Sequence, residues 1–499
     1  MKVSLRKSGM LIMVMLVVAL LLAACSGNNN GNGETVPVAT PGNDAVETPP
    51  PPPPADDDAT VAHVEYETST RSGIHEPRDM GGRTLMIASD WGNAMPFSRL
   101  GYEEPDPATA GNYFIDRLIW DNAQRVYREF NFVLDYVTIA EDLTSVFTAS
   151  VMAGDPIGDL VFLSGGQQLS AIVGDLIMPL TVANLPNSDV LGAQIYGRVS
   201  NHAFGQPWSL YYSSLSPHIF MMGVNLDIIN AIGAPNPVDL FNQGRWTWEA
   251  ALDIMRMATR DTTGDGTFDQ WGIAGQPGDL MNHFIAANDG IFVDDNLQYA
   301  FDHPNTIEAL EFMETIFHEG LWQYDPVMGA DPTDWGRNFF AFHEGNAALF
   351  KSIFWGMNGG DLPFEFAVVP FPTGPSNTTG STWGSGWDGG LTFPHGSSWD
   401  PADLLMIAEE FLAWPGPYVE LIVEGGLTTA RETFRTEEDV QRWAANSHNV
   451  RRDIGHVVPE FNWVSGDFAG YFISREMNVM QAIEAYRAPQ QELLDLFFR

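Results

Sequence analysis

The chain has 499 residues, 44% of them hydrophobic, and sets 64 Asp and Glu against 24 Lys and Arg for a net charge of −40. A surface this acidic repels phosphate backbones, which excludes nucleic acid as a partner class. Lys351 is the only lysine beyond Lys7 and Cys25 is the only cysteine, so no intramolecular disulfide forms.

Lys2, Arg6 and Lys7 precede an apolar stretch from Met10 to Ala24 that is too short for a comfortable membrane span. Residues 1–24 therefore read as a signal peptide. The residues Leu21-Leu22-Ala23-Ala24 before Cys25 resemble the lipobox of bacterial lipoproteins. That resemblance implies cleavage before Cys25 and lipidation of its thiol; the plain alternative is a free cysteine after an ordinary signal. Residues 25–82 are dominated by Gly, Asn, Pro and acidic side chains, too polar to bury a core. They are predicted to be a disordered spacer that holds a folded body off a membrane.

From residue 83 the pattern changes. Arg83–Ser89 reads as a short buried strand, and Tyr113–Phe130 carries Phe114, Leu118, Ala123 and Val126 at roughly helical spacing. Strands follow at 132–139 and 159–163, with helices near 143–153 and 168–173. Strand–helix alternation of this kind predicts a parallel sheet covered by helices, with ligands at the carboxyl ends of the strands. Thr247 is a candidate N-cap for a helix over 247–260, with Trp246 and Trp248 stapling its start. Two further helices are expected at the C-terminus, 477–486 and 490–498, separated at Pro489.

Several blocks resemble one family. "SVMAGDPIGDLVFLSGGQQLSAIVGDLIMPL" (150–180), "MMGVNLDIINAIGAPNPVDLFNQGRWTWEAALDIMRMAT" (221–259), "FHEGNAALFKSIFW" (342–355) and "FEFAVVPFPTGP" (364–375) are similar, in order and spacing, to extracellular solute-binding proteins of ABC importers. The group resembled is the carbohydrate-binding one, family 1. The resemblance implies an α/β fold of two lobes, periplasmic-binding-protein-like, with hinge crossovers and a central ligand cleft. It places the N-terminal lobe in 83–214 plus 371–428 and the C-terminal lobe in 215–370 plus 429–499. The crossings fall near 207–218, 368–372 and 427–432. It also implies an ABC permease as partner, a sugar or oligosaccharide as ligand, a membrane contact through the lipid alone, and an extracytoplasmic monomer.

Enzyme signatures are weak. Gly384-Ser-Gly-Trp-Asp-Gly389 satisfies a dinucleotide-type spacing, yet no clear strand precedes it and Pro394 disfavours a following helix. Three His-Glu pairs lack the second histidine of a zinc helix. With 64 acidic residues, chance carboxylate pairs carry little weight. No catalytic residue is assigned.

Aromatic residues are the better lead, because sugar C–H faces pack on rings while hydroxyls need polar partners. Trp91 follows the first strand, Trp208 and Tyr212 lie at the first crossing with His218 just beyond, and Trp387 sits in a Gly-rich loop. The family resemblance implies a stacking role for Trp355. Each competes with a core role. Where maltose-type members carry an aromatic and an acid, this chain has Leu163-Ser164-Gly165-Gly166, leaving Gln167 and Gln168 as the nearest polar groups. A peptide, a polyol or another small solute remains an alternative ligand, and a secreted carbohydrate-active enzyme an alternative activity.

The stretch "TRDTTGDGTFDQWGI" (259–273) places Asp261, Thr263, Asp265, Thr267 and Asp269 at positions 1, 3, 5, 7 and 9 of an EF-hand-like loop, with Gly266 at the sharp turn. Oxygen-only ligands suit Ca2+. Position 12 is Gly272, so the bidentate glutamate is missing. The two readings are a structural calcium loop and a solvated turn that ends a helix; no other cofactor is called for.

Overall fold

The computed structural model describes residues 73–90, 104, 113–180, 208–210, 220–323, 344–353, 362–381, 383–384 and 390–412. Beyond these it describes 427, 430–431, 433–446, 450–451, 455, 458 and 464–498. The chain first runs β1 (Arg83–Ser89), α1 (Tyr113–Phe130), β2 (Phe132–Thr138), α2 (Leu143–Met152), β3 (Leu160–Leu163), α3 (Gly165–Val173), β4 (Ile177–Met178) and β5 (Ser209–Leu210). It continues through β6 (Phe220–Asn225), α4 (Leu226–Ile232), α5 (Pro237–Asn242), α6 (Trp248–Ala258), β7 (Trp271–Ala274), α7 (Pro277–Ala286) and α8 (Pro304–His318). Next come β8 (Ala347–Ile353), β9 (Phe366–Val369), β10 (Trp383–Gly384), β11 (Gly390–Pro394) and α9 (Pro401–Leu412). The last elements are α10 (Glu437–Asn446), β12 (Val450–Arg451), α11 (Val464–Ser474) and α12 (Val479–Phe498).

The strands sort into two main sheets. The first has the order β2-β1-β3-β11-β4, with β5 also on β11. β1 is parallel to β2 and β3, as strand–helix alternation predicts, but β11 is antiparallel to β3, β4 and β5. The expected parallel arrangement holds for β1, β2 and β3, and β11 is an antiparallel addition to it. The difference arises because β11 comes from the second sheet's side of the chain and enters the first at the carboxyl end of β3, with Gly390 beside Leu163. All four residues of β3 are buried, while Phe132, Val133, Leu134 and Asp135 of the edge strand β2 alternate inward and outward. Helices cover both faces: α1 and α9 pack through Val126, Phe130 and Leu404, and α2 and α3 through Phe147 and Ile172.

The second sheet has the order β7-β8-β6-β9, with β7 parallel to β8 and β6 antiparallel to both its neighbours. One face meets α6, α7, α8, α11 and α12 through residues such as Ile254, Phe284, Leu310, Phe468 and Ile483. The other meets α10 through Val440 and Trp443. α6 starts where its cap residue predicts: Thr247 Oγ1 accepts from the Ala250 amide at 3.4 Å, with Trp246 and Trp248 buried on either side.

Three expectations are adjusted. The predicted break at Pro489 is absent, and α12 runs through it. The buried stripe Ala482, Ile483, Gln490 and Leu494 continues across the proline, so packing outweighs a penalty of about 3 kcal/mol for an interior proline. Residues 73–82, expected to belong to the spacer, pack with the folded body. Glu410 Oε1 accepts from the amides of Ile74 and His75 at 2.7 and 2.6 Å, and Met80 is buried in the first core. The passages between sheets also shift. Residues 373–381 bond to the turn after α7: the Ser376 amide donates to Asn288 Oδ1 at 2.9 Å and the Thr378 amide to Asp289 Oδ2 at 2.6 Å. β10 then pairs with β12, so the chain returns to the first sheet between Gly384 and Gly390, not at 368–372. α9 ends at Leu412 on the first sheet, and Leu427 and Ala430 pack in the second body.

Candidate functional site

In each sheet one parallel strand, β3 or β7, ends in a turn that leads into a helix, and both turns carry polar side chains that pair with groups distant in sequence. On the first sheet, β1 ends at Ser89 and β3 at Leu163, and α3 begins at once with Gly165. Gln167 Oε1 accepts from the Ser164 amide at 2.8 Å, closing the first turn of α3. Its Nε2 donates to Asp90 Oδ2 at 3.3 Å. One glutamine thus ties the carboxyl ends of β1 and β3 together and stays partly exposed. Gln168 points the other way, buried, with Nε2 donating to the Leu163 carbonyl at 2.9 Å.

On the second sheet, the register pairs Ala274 with Phe350, so Lys351 stands level with Gly275 just past the end of β7. Gly275 has φ +145°, and a Cβ there would lie 3.3 Å from Lys351 Cβ. Its carbonyl accepts from Trp322 Nε1 at 2.8 Å. Gln276 caps α7 by accepting the Asp279 amide at 2.5 Å. The Lys351 ammonium then bonds Asp279 Oδ2. Burial holds the Lys351 pKa below its ordinary range, with the Asp279 charge pulling the other way. Sequence reasoning missed this pair. The only signal was a lysine in an otherwise apolar strand of a chain nearly devoid of lysine.

Of the other predicted ligand contacts, Trp208 is half-buried ahead of β5 and packs against the core cluster that includes Phe147, Leu163 and Ile177. Trp91, Tyr212, His218, Trp355 and Trp387, and the lipidation candidate Cys25, lie outside the described residues. Their flanks are informative in two cases. Trp355 follows β8 and Lys351 in sequence, and Trp387 lies in sequence between β10 and β11. The two bodies also touch directly, where Leu169 of α3 enters the second core near α12.

The acidic loop lies apart from both turns. Asp261 accepts from the amides of Gly264 at 2.6 Å and Gly266 at 2.7 Å, and Asp269 accepts from the Thr262 amide and hydroxyl, both at 2.8 Å. These bonds, led by Gly266 for Asp261 and by the Thr262 amide for Asp269, hold both carboxyls below the usual range. Thr263 Oγ1 donates to Asp261, and the Thr267 amide to Asp265. Gly272, at the loop's twelfth position, lies in β7 against α6, where a Cβ would sit 2.5 Å from Met255 Cα. The packing that forms β7 therefore bars a glutamate there. Among the described residues, no group of three or more His, Cys, Asp or Glu side chains is arranged to hold a metal ion.

No protein-family model matches the sequence, and no curated protein matches it. Solved structures do match the fold. A cyclic α-maltosyl-1,6-maltose binding protein from Arthrobacter globiformis aligns at TM-score 0.56 and 15% identity, over 83% of this chain and 99% of its own. An ABC substrate-binding protein from Listeria monocytogenes, solved with cycloalternan, aligns at TM-score 0.55 and 12% identity, again over 83% and 99%. An ABC transporter solute-binding protein from Agrobacterium radiobacter, solved with ribitol, aligns at 0.54 and 15%, over 84% and 100%. With two sheets, repeated crossings and near-complete coverage of these chains, the protein has the two-lobed, periplasmic-binding-protein-like α/β fold.

Proposed function

We propose that the chain is an extracytoplasmic solute receptor that captures a neutral sugar or oligosaccharide between its two lobes and delivers it to the permease of an ABC importer. The observation that carries the reading is the pairing of polar turns at the carboxyl ends of the two sheets, Asp90–Gln167 on one and Asp279–Lys351 on the other, in a fold shared with solved sugar receptors. Hydroxyl-rich ligands need such acceptors and donors from both sides. Trp91, Tyr212, His218, Trp355 and Trp387 are assigned as rim and stacking groups around them.

The mechanism is conformational and needs no catalysis. A ligand bonded to both lobes favours the closed arrangement by the difference in its affinity for the two states. The acidic surface disfavours anionic ligands. Lipidated Cys25 and the spacer up to residue 72 hold the receptor at the membrane. A polyol is the second reading, favoured by the likeness to the structure solved with ribitol. Calorimetric titration of the full chain with neutral oligosaccharides and ribitol is expected to give saturable binding without release of reducing sugar. Turnover of an oligosaccharide, or binding of peptides in place of both, overturns the reading.

A further inference from the structure

Two oxygens of one carboxylate separate structure from recognition at the second turn. Asp279 Oδ2 is taken by Lys351, but among the described residues Oδ1 accepts nothing. The Lys351 side chain is 5% exposed and that of Asp279 26%. The ammonium is thus sealed in while the carboxylate still reaches the surface, at the carboxyl ends of β7 and β8. The Gln276 cap fixes the turn that carries it, and Gly275 gives the lysine stem room to pass.

A buried ion pair is a poor way to stabilise a fold, because well-packed apolar residues do as well or better. Placing the one lysine beyond Lys7 at this point contributes something else, namely a carboxylate held in one direction. We propose that Asp279 is the hydroxyl acceptor of the second lobe and that Lys351 is the residue that positions it, so that the site selects neutral, hydroxyl-rich ligands over carboxylates and phosphates. This rests on the reading of the chain as a receptor for neutral sugars or polyols. A ligand hydroxyl donates to Oδ1. An anionic group offers only acceptors and meets a like charge, and the ammonium is already bonded and cannot turn to it.

The test is calorimetric titration of the full chain with ribitol, cycloalternan and glucuronate, on the wild type, Lys351→Met and the double variant Asp279→Asn/Lys351→Met. The double variant is included because Asp279→Asn alone leaves a buried ammonium unpaired. Wild type is expected to saturate with at least one neutral probe and to ignore glucuronate. The double variant is expected to melt at or above the wild-type temperature yet bind the neutral probe at least about tenfold more weakly. Lys351→Met should weaken it by a smaller factor and narrow the neutral-to-anionic preference, a change that a purely structural lysine would not produce. A double variant with wild-type affinity and preference overturns the proposal and leaves the sugar-receptor reading intact. Failure of wild type to bind any neutral probe overturns both.

Discussion

Two of the buried charge clusters among the described residues use their charge differently. In the first body, Arg125 lies between Glu410, at 2.5 Å, and Glu129, at 2.5 Å, while His75 Nε2 meets Glu409 at 2.7 Å. Glu410 spends its other oxygen on the amides of Ile74 and His75. Each oxygen of Glu410 is used, and the cluster fastens α1, α9 and the segment leaving the spacer. In the second body, Lys351 pairs with Asp279 Oδ2 at the end of a sheet, and among the described residues the other Asp279 oxygen accepts nothing. A closed network stabilises and specifies the fold; an open one at a strand end is prepared for a ligand.

The sharpest way to break this contrast is to cut the closed network. Arg125→Met leaves Glu410 buried without its cation and is expected to destabilise the protein by about 3–5 kcal/mol, read by denaturant unfolding. Ligand affinity at a permissive temperature should not change. An affinity loss as large as the one expected at Asp279 would erase the distinction between the two clusters.

Lys351 gives a pH signature of intermediate size. Burial lowers its folded pKa below its ordinary 10.5, so the folded state holds the proton less tightly than the unfolded chain does. The destabilisation is therefore full below the folded pKa and fades as pH rises towards 10.5. The melting temperature of wild type, measured against the Asp279→Asn/Lys351→Met double variant, should lag most near neutrality and catch up with alkaline pH. A difference independent of pH would mean that folding does not lower the lysine's pKa.

The smallest effect is expected at the acidic loop. Asp269→Ala removes two acceptors for Thr262 and should lower the melting temperature slightly, by the same amount with and without millimolar calcium. Stabilisation of wild type by calcium, lost in Asp265→Ala, would restore the loop as a metal site despite Gly272.

Local features were legible in the sequence. β1 and β3 read as buried runs, α1 as an amphipathic helix, and Thr247 as a cap, because each depends on neighbours a few residues away. The features that were not legible join distant residues. The His75 amide meets a carboxylate 335 positions on, and Lys351 meets Asp279 across 72. Gly272 read as a missing calcium ligand, yet its constraint is the contact with α6, which no loop pattern reveals. The tryptophans were proposed for the site on chemistry alone, and the one of them that is described, Trp208, packs against the core cluster that holds Leu163 and Ile177. The antiparallel entry of β11 was hidden because its approach through the second body leaves no mark on five apolar-flanked residues.

On the proposed function, the two turns together bind a neutral, hydroxyl-rich solute. The melting temperature of the full chain, taken against a panel of neutral saccharides and polyols set beside a panel of short peptides, tests this at once. Stabilisation by at least one neutral saccharide or polyol is expected, worth about 2.7 kcal/mol at a hundredfold excess over Kd, and none by peptides. Stabilisation by peptides with none by any saccharide or polyol would contradict that function.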